Sequence, residues 1–381
     1  MKIIYIVNAR IPTEKAHGLQ IIRMCDAFAA LPGIELELVV PKRNNLIMED
    51  AFQYYNLKNK FKIKYIWCSS FYRDSRIGIM LERATFLTGA IIYAMFQGAN
   101  IWYTRSNLSV YLAAVIFGKR AGIEFHEPPR RFMFFKKRLM RFFKKIIVVP
   151  YRIADLYNKW GIKKENILVA PNGVDLSVFD LNINKEEALK KINLEKLINK
   201  NILVYTGSFK TKGVEKGMGD ILKAMKELDR DTVFVAAGGD DRDIDDYQKQ
   251  ARELKIEERV YLFGRQKQSD LAVYQKAADC LLMPFPDIAH YRLFMTPMKM
   301  FEYMASKRPI ISSDLPSVRK VLNERNCFFC KPGDPHDLAD KINKLLSEKE
   351  SAQSIADRAF RDAQDYTWNK RAGRIINFIK K

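Results

Sequence analysis

Two stretches of this sequence place lysines and glycines where a polyphosphate could be held. In YTGSFKTKGVEKGMGDILKAM (205–225) an apolar run ends at Gly207, and Ser208 follows with three more glycines, Gly213, Gly217 and Gly219, and three lysines, Lys210, Lys212 and Lys216. Helical spacing resumes from about Gly219. Glycines let a phosphate approach the backbone, a helix amino end adds partial positive charge, and lysines add full charges. No Gly-Lys-Ser/Thr closes a Walker loop and no Gly-x-Gly-x-x-Gly is present, and a solvated loop would use similar residues. In MTPMKMFEYMASKRPIISSD (295–314) Thr296 and Pro297 open a helix, with Thr296 as cap, Pro297 at the first helical position, Met298 and Lys299 in the first turn and Glu302 a turn later. Glu302 lies among Met300, Phe301, Tyr303 and Met304. Such a carboxylate either pairs with Lys299 or accepts bonds from ligand hydroxyls, a ribose being a fitting partner.

Two further segments carry histidines. NARIPTEKAHGLQIIRMCDAF (8–28) sets His17 and Gly18 before a helix with Ile21, Ile22, Met24 and Phe28 on its apolar positions. Amides there could face an anion or a sugar, although an ordinary strand-to-helix turn reads the same way. EFHEPP (124–129) holds His126 between Glu124 and Glu127. A structural histidine fits this segment as well, and it offers too few ligands for a metal.

Positioning these loops requires strands that end beside them. Short apolar runs recur at 2–7, 34–40, 101–103 and 145–149, and again from Asn201, Thr232, Arg259, Cys280 and Pro309, each followed by a helix-like segment. That alternation marks βαβ units and two parallel sheets, whose ligands sit at strand carboxyl ends. A length of 381 residues with 48% apolar content suits two globular domains. The boundary is expected in the polar stretch 181–200. The run MKIIYIVNAR is too short for a signal-peptide core and reads as a buried strand. Ala84–Thr104 lacks charge over about a bilayer's span, yet Gln97, Gly98 and Asn100 interrupt it, so a buried helix followed by a strand is expected. Five scattered cysteines are no disulfide framework and favour a reducing compartment, and Cys327 with Cys330 read as strand thiols rather than a zinc or redox pair.

The chain carries a formal charge of +21, of which residues 1–180, with 28 Lys and Arg against 14 Asp and Glu, hold +14. A field of that sign gathers phosphate-bearing partners without choosing among nucleic acid, anionic lipid and a diphosphate substrate. Its densest part is PPRRFMFFKKRLMRFFKK (128–145), which includes Arg130, Arg131, Lys137, Arg141 and Lys144. Phe132, Phe135, Leu139, Phe142 and Ile146 make a helical stripe that would face a core, while Phe134, Phe143 and the bases are left for an anionic bilayer.

Read together, PTEKAHGLQ, EFHEP, VAPNGVD (169–175), YTGSF with the later Lys-Gly, GRQKQSDLAVYQKAADCLLMPF, PMKMFEYMASKRPIISSD, KPGDPHDLADKI and YTWNKRA resemble, in order and spacing, the group 1, or family 4, retaining glycosyltransferases. The resemblance implies an α/β GT-B fold of two Rossmann-like, doubly wound domains with parallel sheets facing across a cleft. It implies residues 1–180 on the acceptor and membrane side, a linker at 181–200, a nucleotide-sugar domain at 201–363, and a last helix at 364–381 crossing back. The substrate implied is a nucleoside-diphosphate sugar, with neither cofactor nor metal.

Carried over by position, Gly18 resembles the loop glycine near the donor phosphates and acceptor, and His126 the histidine that contacts the transferred sugar. Lys216, with Lys212 as competing choice, resembles the lysine that neutralises the diphosphate, beside Gly207 and Ser208. Arg265 falls beneath the base, Glu302 resembles the acid that binds ribose hydroxyls, and Thr296, Pro297, Met298 and Lys299 would surround the diphosphate and sugar. His126, Lys216 and Glu302 are thus the expected catalytic set, with His17 on the acceptor side. The sequence departs from the pattern at Phe294, where a first acid is usual, and at Ser208, where an arginine is usual and Lys210 or Lys212 could substitute.

The expected activity is metal-independent, retaining transfer of a sugar to a hydroxyl of a glycan, expected to be lipid-linked, in cell-surface polysaccharide or glycoconjugate synthesis. The enzyme is expected in the cytoplasm, peripheral on a membrane. A sugar-nucleotide epimerase of the same architecture is the alternative. A nucleic-acid-binding protein rests on charge alone, since the aromatics of the basic tract have helical rather than platform spacing, and nucleic acid is not an expected partner.

Overall fold

An apolar run buried on both faces belongs in the middle of a parallel sheet, and all eight residues of TVFVAAGG (232–239) are buried. The structure is a computed structural model and describes residues 1–69, 75–105, 107–128, 137, 138, 140, 141, 143–211 and 213–381. The chain divides into two compact units, Met1–Asn172 with Trp368–Lys381, and Gly173–Thr367.

The first unit contains β1 (Lys2–Ile6), α1 (Ala16–Ala29), β2 (Glu35–Pro41), β3 (Lys62–Ile66), α2 (Arg76–Met95), β4 (Ile101–Arg105), α3 (Leu108–Ile116), β5 (Arg120–Phe125), β6 (Ile146–Val148), α4 (Tyr151–Lys159) and β7 (Ile167–Val169). Its strands form one parallel sheet ordered β3-β2-β1-β4-β5-β6-β7. Ile3 of β1 faces Leu36 of β2 on one side and Ile101 of β4 on the other.

The second unit contains α5 (Lys185–Lys191), β8 (Asn201–Thr206), the hairpin β9 (Lys210–Thr211) and β10 (Val214–Glu215), α6 (Met218–Ala224), β11 (Thr232–Gly239) and α7 (Asp241–Glu253). It continues with β12 (Val260–Gly264), α8 (Gln268–Lys276), β13 (Cys280–Met283), α9 (Met298–Ala305), β14 (Ile310–Ser313), β15 (Phe328–Cys330), α10 (Pro335–Ser347) and α11 (Lys349–Ala363). Its main sheet runs β12-β11-β8-β13-β14-β15. The last helix, α12 (Trp368–Lys380), packs on α1 and β5 of the first unit.

The division falls after Asn172 rather than within 181–200. Residues 185–191 are an anchored helix: Asn184 and Glu187 form a reciprocal capping box, Ala188 and Leu189 are buried, and Lys185 pairs with Asp279 at 2.6 Å. Helix α2 precedes β4 as expected, but it is not a buried helix. Gly78, Glu82, Phe86, Ala90 and Ala94 face the sheet, one in every four, and the rest of the helix is largely uncovered.

Of the basic tract, Arg130, Arg131, Phe132, Phe134, Phe135, Leu139 and Phe142 lie outside the described residues. Phe143, expected to face lipid, is instead buried and stacks on Tyr111 with ring centroids 4.3 Å apart. Ile146 opens β6 rather than extending a helix. Arg141 donates from Nε to the Trp160 carbonyl at 2.8 Å, Lys137 is half-buried, and Lys144 is exposed.

Both sheets reverse direction once, between β1 and β4 and between β8 and β13. The loops leaving the two strands diverge there and open a crevice at their carboxyl ends. In the second unit that crevice is walled by Gly217, at φ +92°, where an added Cβ would lie 1.8 Å from the Pro284 carbonyl oxygen. A Gly217→Ala substitution therefore combines backbone strain with overlap. It should cost about 2–5 kcal/mol, read as a lower denaturant midpoint in chemical unfolding.

Candidate functional site

At the carboxyl end of β8 the chain turns at Gly207 with φ +102°, a left-handed conformation that suits glycine. Gly238, at the end of β11, comes so near that a Cβ on it would lie 2.7 Å from Gly207 backbone atoms. The β9–β10 hairpin then returns Lys216 to this turn, where its amide donates to the Phe209 carbonyl and its Nζ to Ser208 Oγ at 2.6 Å. Burial pushes the Lys216 ammonium down to about 8.

A second lysine reaches the same place from α9. The Lys299 side chain ends 3.8 Å from where a Gly207 Cβ would be, with Nζ 3.3 Å from the centre of the Tyr205 ring. Its Nζ is buried and makes no hydrogen bond among the described residues. Burial, then the charge of Lys216, hold it well below the usual lysine range against the opposing pull of Glu302. Tyr303, one turn along α9, accepts the Thr206 amide at 2.8 Å and so fixes the helix to the end of β8. A half-buried and a buried lysine thus lie beside one backbone turn, and neither is in a salt bridge among the described residues.

The other expected residues of this unit fall around that turn. Helix α9 starts one residue later than the sequence suggests: Pro297 is its cap, in extended conformation, and no side chain caps its amino end. Thr296 therefore precedes the helix, and Met298 and Lys299 open it. The buried Glu302 does not bond Lys299; it accepts from Gln268 Nε2 at 2.9 Å. Arg265, just past β12, pairs with Asp240 at 2.6 Å. Lys210 is not available to replace the missing arginine, because Asp243 and Asp246 hold it at 3.1 and 2.9 Å. Lys212 lies outside the described residues. Lys299 is the cation that reaches the Gly207 turn from a distant helix.

In the first unit Gly18 is buried in the first turn of α1, and its amide donates to the Lys15 carbonyl at 2.9 Å instead of facing a ligand. A Cβ there would meet Thr13 Cγ2 at 2.0 Å, so packing requires the glycine. Nearby, the exposed His17 receives Arg105 on its carbonyl at 3.2 Å, and Arg105 also donates to Gln20 at 3.0 Å.

His126 follows β5 and bonds through Nε2 to Glu124 at 2.6 Å. Glu124 is fully buried and also receives Gln20 at 2.9 Å, the Tyr103 hydroxyl and Arg371 of α12 at 3.0 Å. Burial pushes its carboxyl up, but Arg371 and the bonds from His126 and Tyr103 outweigh this and hold it well below the usual carboxylate range. Sequence reasoning missed Gln20, Tyr103, Arg105 and Arg371. A carboxylate inside an otherwise apolar strand was the available signal for Glu124, and an arginine on the apolar side of the last helix the signal for Arg371. Among the described residues no group of three or more His, Cys, Asp or Glu is gathered as a metal site would require, and all five cysteines are buried and free.

Two doubly wound α/β units with parallel sheets of seven and six strands define the GT-B fold. Residues 200–348 match the family model described as Glycosyl transferases group 1. A glycosyltransferase from Rickettsia africae superposes with a TM-score of 0.77 at 18% identity, covering 100% of this chain and 97% of that one. HepE from Anabaena, solved in complex with UDP, gives 0.75 at 14% identity over 100% of each chain. The α-monoglucosyldiacylglycerol synthase of Streptococcus pneumoniae is 26% identical over 204 residues, 52% of this chain and 44% of the relative. A D-inositol 3-phosphate glycosyltransferase of Corynebacterium glutamicum is 22% identical over 232 residues, 58% and 53% respectively. The chain thus spans about half the length of the curated relatives it matches.

The titration of Lys216 sets a test. A diphosphate held by Lys216 would bind its protonated form, so that binding should take up a proton as pH rises through about 8, and the Kd of a nucleoside diphosphate should climb by up to about tenfold per pH unit above that point. Calorimetric titration between pH 7 and 9 reads this; Lys216→Met should bind more weakly at pH 7 and flatten the rise.

Proposed function

We propose that the protein is a retaining, metal-independent glycosyltransferase that moves a sugar from a nucleoside diphosphate to an acceptor hydroxyl. The observation that carries this reading is the pair Lys216 and Lys299. A half-buried and a buried lysine beside one glycine turn have no carboxylate bonded to them among the described residues, and a desolvated cation is costly unless an anion meets it. A diphosphate supplies that anion, and its charge grows as the bond from the anomeric carbon to the leaving oxygen breaks. Lysines fixed in advance stabilise the departing group most when it has fully formed. Glu302, oriented by Gln268, accepts the ribose hydroxyls, and Arg265 lies under the base. Phe294 in place of an acid leaves the donor sugar one charged contact fewer. In the proposed step the acceptor oxygen attacks from the side the diphosphate leaves, and the hydroxyl proton passes to the departing phosphate oxygen. The first-unit residues His126 and His17 would serve the sugar and the acceptor.

Turnover of labelled sugar nucleotides tests the assignment. Lys216→Ala should lower the rate about 100-fold or more, and Glu302→Ala should raise the donor KM about tenfold or more by removing a charged hydrogen-bond acceptor. Unchanged kinetics in both variants would overturn it.

We further propose that the acceptor is a lipid-linked glycan met at the cytoplasmic face of an anionic membrane. Diacylglycerol in the name of one relative is compatible with this. The main support is the outer layer of the first unit. Arg76–Met95 is long and apolar enough to cross a membrane and is a third buried. Its outward side chains include Ile77, Met80, Ile92 and Phe96, the last 78% exposed, and α3, which packs beside it, ends in exposed Val115, Ile116 and Phe117. Between Arg76 and Ile123 the single acid is Glu82, buried and bonded to Arg43 at 2.7 Å, against the bases Arg76, Arg83, Arg105, Lys119 and Arg120. An apolar face rimmed by cations and lacking exposed acid suits a bilayer carrying negative lipid. Lys137 and Lys144 of the basic tract, with Arg130 and Arg131, would add to the same attraction. The protein should sediment with anionic vesicles and much less with zwitterionic ones, and Ile92→Glu with Phe96→Glu and Ile116→Glu should weaken binding by tenfold or more. Equally poor sedimentation with both vesicle types would end the membrane reading.

A further inference from the structure

Glu124 is the meeting point of side chains from α1, β4, the loop after β5 and α12, the third of these being His126. We propose that Glu124, held by Arg371, locks His126 in the neutral tautomer whose proton sits on Nε2, so that Nδ1 is offered to a substrate hydroxyl as a hydrogen-bond acceptor. The substrate half of this inference rests on the sugar-transfer reading above; the tautomer half does not.

The bonding pattern leaves little freedom. Gln20 Nε2 and His126 Nε2 both meet Oε1, at 2.9 and 2.6 Å, while Arg371 at 3.0 Å and the Tyr103 hydroxyl meet Oε2. An arginine and an amide nitrogen can only donate, and a carboxylate surrounded by such donors is ionised and can only accept. The proton in the Glu124–His126 bond therefore belongs to the imidazole, at Nε2. Gln20 cannot turn over to relieve this, because its own Oε1 already receives Arg105 at 3.0 Å.

The ring could still be a cation, and its surroundings decide against that. Burial and the neighbouring Arg105 lower the His126 ring to about 4, although Glu124 pulls the other way; the more distant Arg371 adds to the lowering. The charged and titratable groups facing it are thus Arg105 from β4, Glu124 from β5 and Arg371 from α12. Tyr103 and Tyr5 stand behind Glu124 with their rings 4.8 Å apart, and both phenols are held well above their usual range by burial first and then by Glu124, so they stay neutral. Nδ1 makes no hydrogen bond among the described residues, and the side chain is 17% exposed. A neutral imidazole with Nε2 engaged presents a lone pair at Nδ1. His126 is in that case a group that orients a hydroxyl, not a proton donor, and Glu124 and Arg371 are positioning residues.

Ring nitrogen shifts of the full chain labelled with ¹⁵N decide the first half, with the His126 signals assigned by their loss in His126→Phe. We expect a protonated Nε2 and an unprotonated Nδ1 throughout pH 5.5–8; an imidazolium near pH 7, or the Nδ1-protonated tautomer, would overturn the inference. Removing one buried partner alone strands the other, so the functional arm replaces both, Glu124→Leu with Arg371→Met, where similar volume without charge preserves folding. The double variant should lose the tautomer preference and about tenfold in kcat/KM, while its Kd for a nucleoside diphosphate stays unchanged. Wild-type kcat/KM together with a wild-type ring signal in that variant would also overturn it. A wild-type protein with the expected ring signals that turns over no sugar nucleotide would remove the sugar-transfer reading and leave the tautomer standing.

Discussion

A guanidinium with no exposure to water must have an anion, and Arg371 finds it in Glu124, itself without exposure. Breaking such a pair on one side strands a charge at a cost of about 3–5 kcal/mol, whereas an apolar pair of equal volume would be at least as stable. The charge is therefore a poor way of adding stability and a good way of fixing position. Arg371 also donates to the carbonyls of Ala170 and Pro171 at 3.1 and 2.9 Å, so α12 is registered on the last turn of the first unit as well as on β5. Chain from the far end of the sequence thereby packs, as a helix, on a sheet begun at residue 2, and Gly122 in β5 is small because Ile379 of α12 lies against it.

In the second unit the same electrostatics are left incomplete. Lys216 and Lys299 are as desolvated as many structural ion pairs, yet Ser208, a ring face and each other's repulsion are what they meet. A protein can hold two such groups only by lowering their affinity for protons, which both lysines display. An anion bound there would convert the stability withheld by its absence into affinity. Where the carboxylates of this unit could have intervened, they are occupied elsewhere: Asp243 and Asp246 with Lys210, Asp240 with Arg265.

How much of this was legible follows from where each signal resides. Central strands such as KIIYI and TVFVAAGG announce themselves, because burial on both faces demands unbroken apolar residues. Edge strands do not: KIKYI in β3 has no fully buried residue, with Lys62 and Tyr65 exposed and the rest half-buried, and ILV in β7 is only three residues long. β5 was obscured for the opposite reason, since the carboxylate of Glu124 sits in a position that hydropathy reserves for an apolar side chain. The loop glycines and lysines were readable as a set, but their commitments were not. Lys210 and Lys216 are six residues apart and chemically alike, and only the hairpin β9–β10 sends one to α7 and the other to Ser208. Lys299 could be seen as a first-turn residue, but not as a cation beside the Gly207 turn, because that depends on α9 being pinned to β8 through Tyr303 and Thr206.

The apolar outer face of α2 shows why periodicity alone misleads about what a helix covers. A helix usually turns its large apolar residues inward and its polar ones out. Here the inward stripe is Gly78, Glu82, Phe86, Ala90 and Ala94, mostly small, which lets the helix lie close to the sheet. The larger residues Ile77, Met80, Ile92 and Phe96 are turned outward. Hydropathy averaged over the segment cannot separate that arrangement from a buried helix, since both are apolar overall; the size of the residues at every fourth position separates them. Small residues inside and large ones outside leave an apolar outer face that the helix's own sheet does not cover. Along the same stretch the one acid, Glu82, is turned inward, so none of the outward side chains between Arg76 and Ile123 carries a negative charge.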